Sequence, residues 1–209
     1  MSVNAPCGKF HVINMAWITS EGYHDPDASY VIAGVSFFRT ETSIWPTAHP
    51  GMTLQAIIGT VAEFSYFFSG ARAAGMDFFE AVIRGWIPII IISRIIVSFA
   101  TLGCIIILYF LSRKFNLPKA FSLTACAFYA TSYPVLMYIN RLAPEPLTML
   151  YSLLALLCAW QTVSKRGTSL IIWSAAAGIA TSAACFEKFY QGILLFPVIF
   201  IFFIIEENN

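Results

Sequence analysis

Charge is the scarcest thing in this sequence. Only 11% of the 209 residues are charged, against roughly 25% in an ordinary globular chain. A water-soluble domain is excluded on that ground. Lys+Arg total 12 and Asp+Glu 11, so the basic footprint that nucleic acid requires is missing. Disorder is excluded too, because it needs low hydrophobicity and a high net charge. Cys7, Cys104, Cys126, Cys158 and Cys185 show neither disulfide nor zinc spacing, and the last four lie in apolar runs. They read as buried structural thiols. There is no internal repeat and no low-complexity tract. Phe10–Ser20 is apolar but has no basic start and no small-residue cleavage site, so it is not a signal peptide.

What the chain has is apolar bulk. It is 58% hydrophobic with 19 Phe, and its mean hydropathy is +0.74. An integral, multi-pass membrane protein is the class that remains. A helix needs about 20 apolar residues to cross the hydrocarbon core. Ile95–Ser112, Ala120–Asn140, Pro146–Ser164, Thr168–Phe186 and Phe189–Ile205 meet or approach that length. They are continuous rather than alternating, which favours helices over a barrel. The expected fold is an all-α polytopic bundle of about five spans. Residues 95–209 form the bundle, and residues 1–94 form an outer-face segment.

Basic residues orient the bundle. Arg113, Lys114 and Lys119 lie between the first two spans, and Lys165 and Arg166 between the third and fourth. The opposite loops hold only Arg141 and Lys188. The richer side is cytoplasmic by the positive-inside rule. Asn140–Pro146, Phe186–Phe189 and the segment before Arg94 then face outward. Within that segment Glu21–Pro50 reads as an ordered outer loop. Gly51–Gly70 reads as an amphipathic juxtamembrane helix, with Leu54, Ile57, Ile58, Val61, Phe64 and Phe68 on one stripe. Such a helix lies flat in the interface. A short span with Glu63 facing protein is the competing reading.

Chemistry has few places to reside. His24-Asp25-Pro26-Asp27-Ala28-Ser29-Tyr30 sets two carboxylates around a proline. Read as extended chain, alternate residues point to opposite faces, so one of Asp25 and Asp27 faces a given site. A carboxylate there serves as a general base or holds a cation. A solvated turn is the plainer reading, since Asp and Pro are common turn residues. His49-Pro50-Gly51 opens the amphipathic helix, and a lone His is more often a polar loop residue than a catalyst. Arg141-Leu142-Ala143-Pro144-Glu145-Pro146 stiffens Glu145 between prolines at the mouth of two spans. Glu187-Lys188 lies at the other outer mouth, where the plain reading is an ion pair that snorkels. These ionisable groups share the outer side, and such groups at span ends are functional candidates. Bases to hold a phosphate and an acid to take a hydroxyl proton would suit phosphate-leaving transfer.

The order of these motifs resembles the GT-C glycosyltransferases. The resemblance rests on "DPDASYVIAG", "HPGMTLQ", "NRLAPEPLTMLYSLLALLCAW" and "GIATSAACFEKFYQGILLFP", and covers roughly Tyr23–Ile205. It is similar to the protein mannosyltransferases and aminoarabinose transferases of that superfamily. It implies transfer of a sugar from a polyprenyl-phosphate donor to a hydroxyl acceptor on the outer or lumenal face. It implies that Asp27, or Asp25, activates the acceptor hydroxyl and that Glu145 is the second-loop acid. His49, Lys188 and Arg141 would contact the donor phosphate, and Tyr30 would help position substrate. The lipid-linked sugar would be a substrate, with no certain cofactor and a divalent metal as an option. A bacterial inner membrane fits the motif style, with the endoplasmic reticulum as the alternative. The family starts with a full first span and continues well beyond this length. The chain would therefore be the N-terminal part of a longer enzyme or a truncated copy, with a second chain completing the site. A non-catalytic scaffold is the alternative. A transporter fragment fits less well, because the span centres carry almost no charge.

Overall fold

The computed structural model describes residues 26–39, 51–139, 141–163 and 165–199. Every regular element among them is an α-helix. In chain order these are α1 (Pro26–Arg39), α2 (Met52–Phe68), α3 (Phe78–Arg84), α4 (Trp86–Lys114), α5 (Lys119–Thr131), α6 (Tyr133–Tyr138), α7 (Glu145–Val163), α8 (Thr168–Glu187) and α9 (Phe189–Ile193). Three of them, α4, α7 and α8, are long and apolar enough to cross a membrane. Their outward faces carry large aliphatic and aromatic residues, among them Ile91, Ile95 and Phe99 on α4 and Ile171, Ile172 and Ile179 on α8. Apolar surface on that scale needs a lipid or protein cover. The chain is a membrane protein.

The elements depart from the expected spans in instructive ways. Arg94 does not start α4, which begins at Trp86 and runs for 29 residues, about 43 Å at 1.5 Å per residue. Pro88 is tolerated because it falls in the first turn, where its missing N–H has no helical partner to lose. Arg113 and Lys114 complement the carbonyl end, and Asn116 at φ 58° turns the chain away. Ala120–Asn140 is not one helix. Ser132 is extended, with ψ 143°, and Pro134 cannot donate to the preceding turn, so α5 stops and α6 starts afresh. The apolar run from Phe189 is interrupted once: α9 ends at Ile193, and helix resumes after Leu194 as far as Ile199.

Glu21–Pro50 is not all loop. Pro26 opens α1, a position that its fixed φ favours. α1 packs on α2 at Gly34, where a Cβ would stand 2.8 Å from both the Gln55 carbonyl oxygen and Ile58 Cβ. The amphipathic helix α2 forms where expected, but its stripe divides. Leu54, Ile58 and Val61 are buried against Val31 and Val35 of α1 and against α3 and α4. Phe64 and Phe68 stay exposed and stack at 5.9 Å between centroids. α3 is capped by Asp77, whose carboxylate accepts the Phe79 and Glu80 N–H groups.

Two levels result. α4 and α7 run parallel: Cys104 Sγ lies 3.7 Å from the Pro146 carbonyl, and Phe115 meets Trp160 at 4.7 Å. α7 therefore starts opposite the middle of α4. Below that level α4, α5, α7 and α8 form one bundle, with small residues such as Ala155, Ala180 and Ala184 between α7 and α8. Above it the first half of α4 carries α1, α2 and α3.

Candidate functional site

The junction of the two levels gathers the polar groups. α2 begins at Gly51 with φ 44° and ψ 37°, a left-handed conformation with no side chain to cap the helix, and no acid stands in its first turn. The first N–H groups of any helix lack internal partners. Here Glu187 supplies them. Its side chain is fully buried, and Oε1 accepts the Leu54 N–H at 2.9 Å, with the Thr53 N–H adding to the hold. The Glu187 carbonyl accepts the Gly51 N–H at 3.2 Å. A carboxylate suits the positive end of the α2 dipole. Glu187 thus does for α2 what a local Ser or Asp usually does.

Lys188 follows with an extended backbone, φ −145° and ψ 101°, between α8 and α9. That break turns its side chain away from Glu187. The expected Glu187–Lys188 pair is not formed. Lys188 Nζ instead donates to Glu145 Oε1 at 2.6 Å, across the mouth between α7 and α8. The pair is mostly buried, with side-chain exposures of 20% and 28%. Glu145 Oε2, Glu187 Oε2 and Thr53 Oγ1 are buried without hydrogen-bond partners among the described residues.

Tyr30 of α1 closes the other side. Its ring is 3.1 Å from where a Cβ on Gly51 would sit, and Glu187 Oε2 and Pro144 are the next neighbours of that point. Burial first, then the charges of Glu145, Glu187 and Tyr138, push the Tyr30 phenol up to about 12. Tyr30 is therefore a neutral hydrogen-bonding group at any physiological pH.

Beside Glu145 a cleft of about 470 Å³ runs down between α4, α5–α6, α7 and the α9 region. Glu145, Thr148, Met149 and Ser152 line it from one face of α7, at the i, i+3, i+4, i+7 spacing.

Of the expected site residues, the structure brings Glu145, Lys188 and Tyr30 together. Asp27 lies in the first turn of α1, three positions before Tyr30. It is in a helix, where successive residues do not alternate between two faces as they do in extended chain. Asp25 and His49 lie outside the described residues. Arg141 is exposed. Glu187, read from the sequence as half of a local ion pair, and Gly51, read as the start of a helix, join the site, and so does Tyr138, which the sequence did not single out. One signal pointed to them: an α2 start with neither a capping side chain nor a first-turn acid must find its partner elsewhere. Among the described residues no three His, Cys, Asp or Glu gather around a metal position.

Fold and site together define a helical membrane protein with a buried acid–lysine–tyrosine cluster at one end of its bundle. No protein-family model, no curated protein and no solved structure matches the chain.

Proposed function

We propose that this cluster is part of the active site of a membrane glycosyltransferase of the GT-C type, using a polyprenyl-phosphate sugar. The observation that supports it most is the Lys188–Glu145 pair at the mouth of the bundle. An ammonium has three protons to donate. Glu145 takes one, and the others are free for a phosphate oxygen held at the membrane surface. Glu145 fixes where the ammonium points, which is the pre-organisation that catalysis needs.

In this reading Asp27, with Asp25 as the alternative, takes the proton of the acceptor hydroxyl. That oxygen attacks the anomeric carbon as the bond from that carbon to the phosphate oxygen breaks. The lipid phosphate leaves as an anion beside Lys188, with His49 and Arg141 as further contacts. Tyr30, kept protonated, donates a hydrogen bond to substrate. The cluster faces the outer or lumenal side of a bacterial inner membrane or the endoplasmic reticulum. α5–α6 and the Phe189–Ile205 run would complete a multi-pass bundle, and further segments or a second chain would complete the site.

The test is transfer of labelled sugar from a polyprenyl-phosphate donor by the full protein in native membranes. Asp27→Asn should abolish transfer at unchanged expression, with Asp25→Asn as the matched control. Loss only in the control moves the base to Asp25, and full turnover by both variants overturns the assignment. Lys188→Ala should lose binding of a polyprenyl-phosphate analogue. A well-folded chain that never binds that analogue makes the cluster a structural joint of a scaffold.

A further inference from the structure

We propose that the cleft between α4, α5–α6, α7 and α9 binds a neutral, hydroxyl-bearing amphiphile drawn from the bilayer. Several protons in its lining are already committed. Thr148 Oγ1 donates to the Pro144 carbonyl at 2.9 Å. Ser152 Oγ donates to the Thr148 carbonyl at 2.7 Å, and Ser132 Oγ to the Tyr129 carbonyl at 2.8 Å. These three hydroxyls have thus spent their single protons on their own helices and offer only lone pairs. Glu145, at the mouth, offers an unpartnered oxygen as well. Deeper down Thr101, only 3% exposed, is part of the lining and its hydroxyl has no partner among the described residues. Gln191 and the phenols of Tyr129 and Tyr138 also line the cleft and bring donors as well as acceptors, so the lining suits a ligand that both donates and accepts, as a hydroxyl does.

Charge narrows the choice. The single charge that lines the cleft, Glu145, is already answered by Lys188. A phosphate entering the cleft would meet that carboxylate, and an ammonium would have to be stripped of water against Pro134, Val135 and Leu194 with its counter-charge taken. A neutral head bearing hydroxyls satisfies the acceptors at neither cost. The source is set by the surroundings: Met149 and Leu194 line the cleft and are themselves exposed on the apolar outside of the bundle. Entry is from lipid, and the ligand's chain lies along that wall. The volume of about 470 Å³ is within the range of small-ligand sites. On the transfer reading this molecule is the acceptor, and only that role rests on that reading.

The test needs no sugar donor, so its failure is separate from failure of transfer. The full chain is placed in phosphatidylcholine nanodiscs with a monoacylglycerol carrying a diazirine in its chain, and the crosslinked peptides are mapped. Label should fall on α5–α6 and α7. Unlabelled monoacylglycerol should displace it, and the hydroxyl-free methyl ester or lysophosphatidic acid of the same chain should do so roughly tenfold less well, the worth of one or two hydrogen bonds. Met149→Trp, which fills the cleft, should abolish labelling, and Thr101→Val should weaken it several-fold. Label elsewhere, or equal displacement by the methyl ester or by lysophosphatidic acid, overturns the proposal. That competition uses the unmutated chain and decides the matter even where a variant fails to fold.

Discussion

At the scale of single residues, Glu187 holds the junction. Glu187→Ala would leave the Leu54 and Thr53 N–H groups buried and unpaired, a loss of about 1–3 kcal/mol. The loss should appear as a lowered unfolding temperature in detergent, with Glu187→Gln, which can still accept those bonds, falling between. A variant as stable as the parent would mean that the cap contributes nothing. Tyr30 gives a pH signature. The folded chain holds the Tyr30 proton up to about 12, whereas the ordinary phenol value is 10.0. The stabilisation linked to that proton is whole below 10 and drains away as pH rises towards 12. Between those values the parent should lose thermal stability faster than Tyr30→Phe, and parallel curves would refute the environment assigned to Tyr30. The residues of this site were partly legible. Glu145 and Lys188 stood out because prolines and span ends made a merely solvated role awkward. Glu187 did not, because beside Lys188 it read as half of a local pair. Only three dimensions show that the chain breaks between them and sends the two side chains to different partners.

At the scale of elements, the apolar runs announced helices, and α7 and α8 start or stop within a residue or so of the expected bounds. The misreadings have local causes. Arg94 looked like a boundary, but a helix longer than the hydrocarbon core can carry a charge beyond it. Pro134 was visible in a charge-free run, yet the run was read by hydropathy alone, which is blind to a missing N–H. α1 was taken for loop because its mix of Asp, Ser, Tyr and Gly is weakly helical by itself. Packing of Gly34 on α2 decides it instead. The same close approach marks α9 against α8: a Cβ on Gly192 would stand 2.6 Å from the Cys185 backbone. Gly192→Ala must therefore push α9 off α8, at about 1–3 kcal/mol for an overpacked contact. Hydrogen exchange should rise in α9 and the end of α8 and stay unchanged in α5. Unaltered exchange throughout would show that the crossing is not tight.

At the scale of the whole molecule, the two ends of the bundle are chemically unlike. Arg113, Lys114, Lys165 and Arg166 stand at the end where α4 and α7 stop, and Arg141, Glu145 and Lys188 at the end where α7 starts. Single cysteines placed at Lys119 and Arg166 should react with an impermeant maleimide from one side of sealed vesicles, and a cysteine at Arg141 from the other. Reaction of all three from one side would mean that neither α5–α6 nor α7 crosses the membrane. The class of molecule was plain from composition, since so little charge leaves few alternatives. The two-level arrangement was not, because nothing in a hydropathy pattern says that α7 starts opposite the middle of α4 rather than at its head.

The cap on α2 also has a consequence in time. Leu54 and Glu187 are 133 residues apart, and a ribosome adds about 5–20 residues per second. The first turn of α2 is thus synthesised on the order of ten seconds before the carboxylate that completes it exists. During that interval α1 and α2 can pack on each other and on α4, but the start of α2 stays uncapped until α8 is made. Closure of the outer level onto the bundle thus waits for α8, and a ribosome that stalls between the two would hold a chain whose bundle has begun and whose site has not.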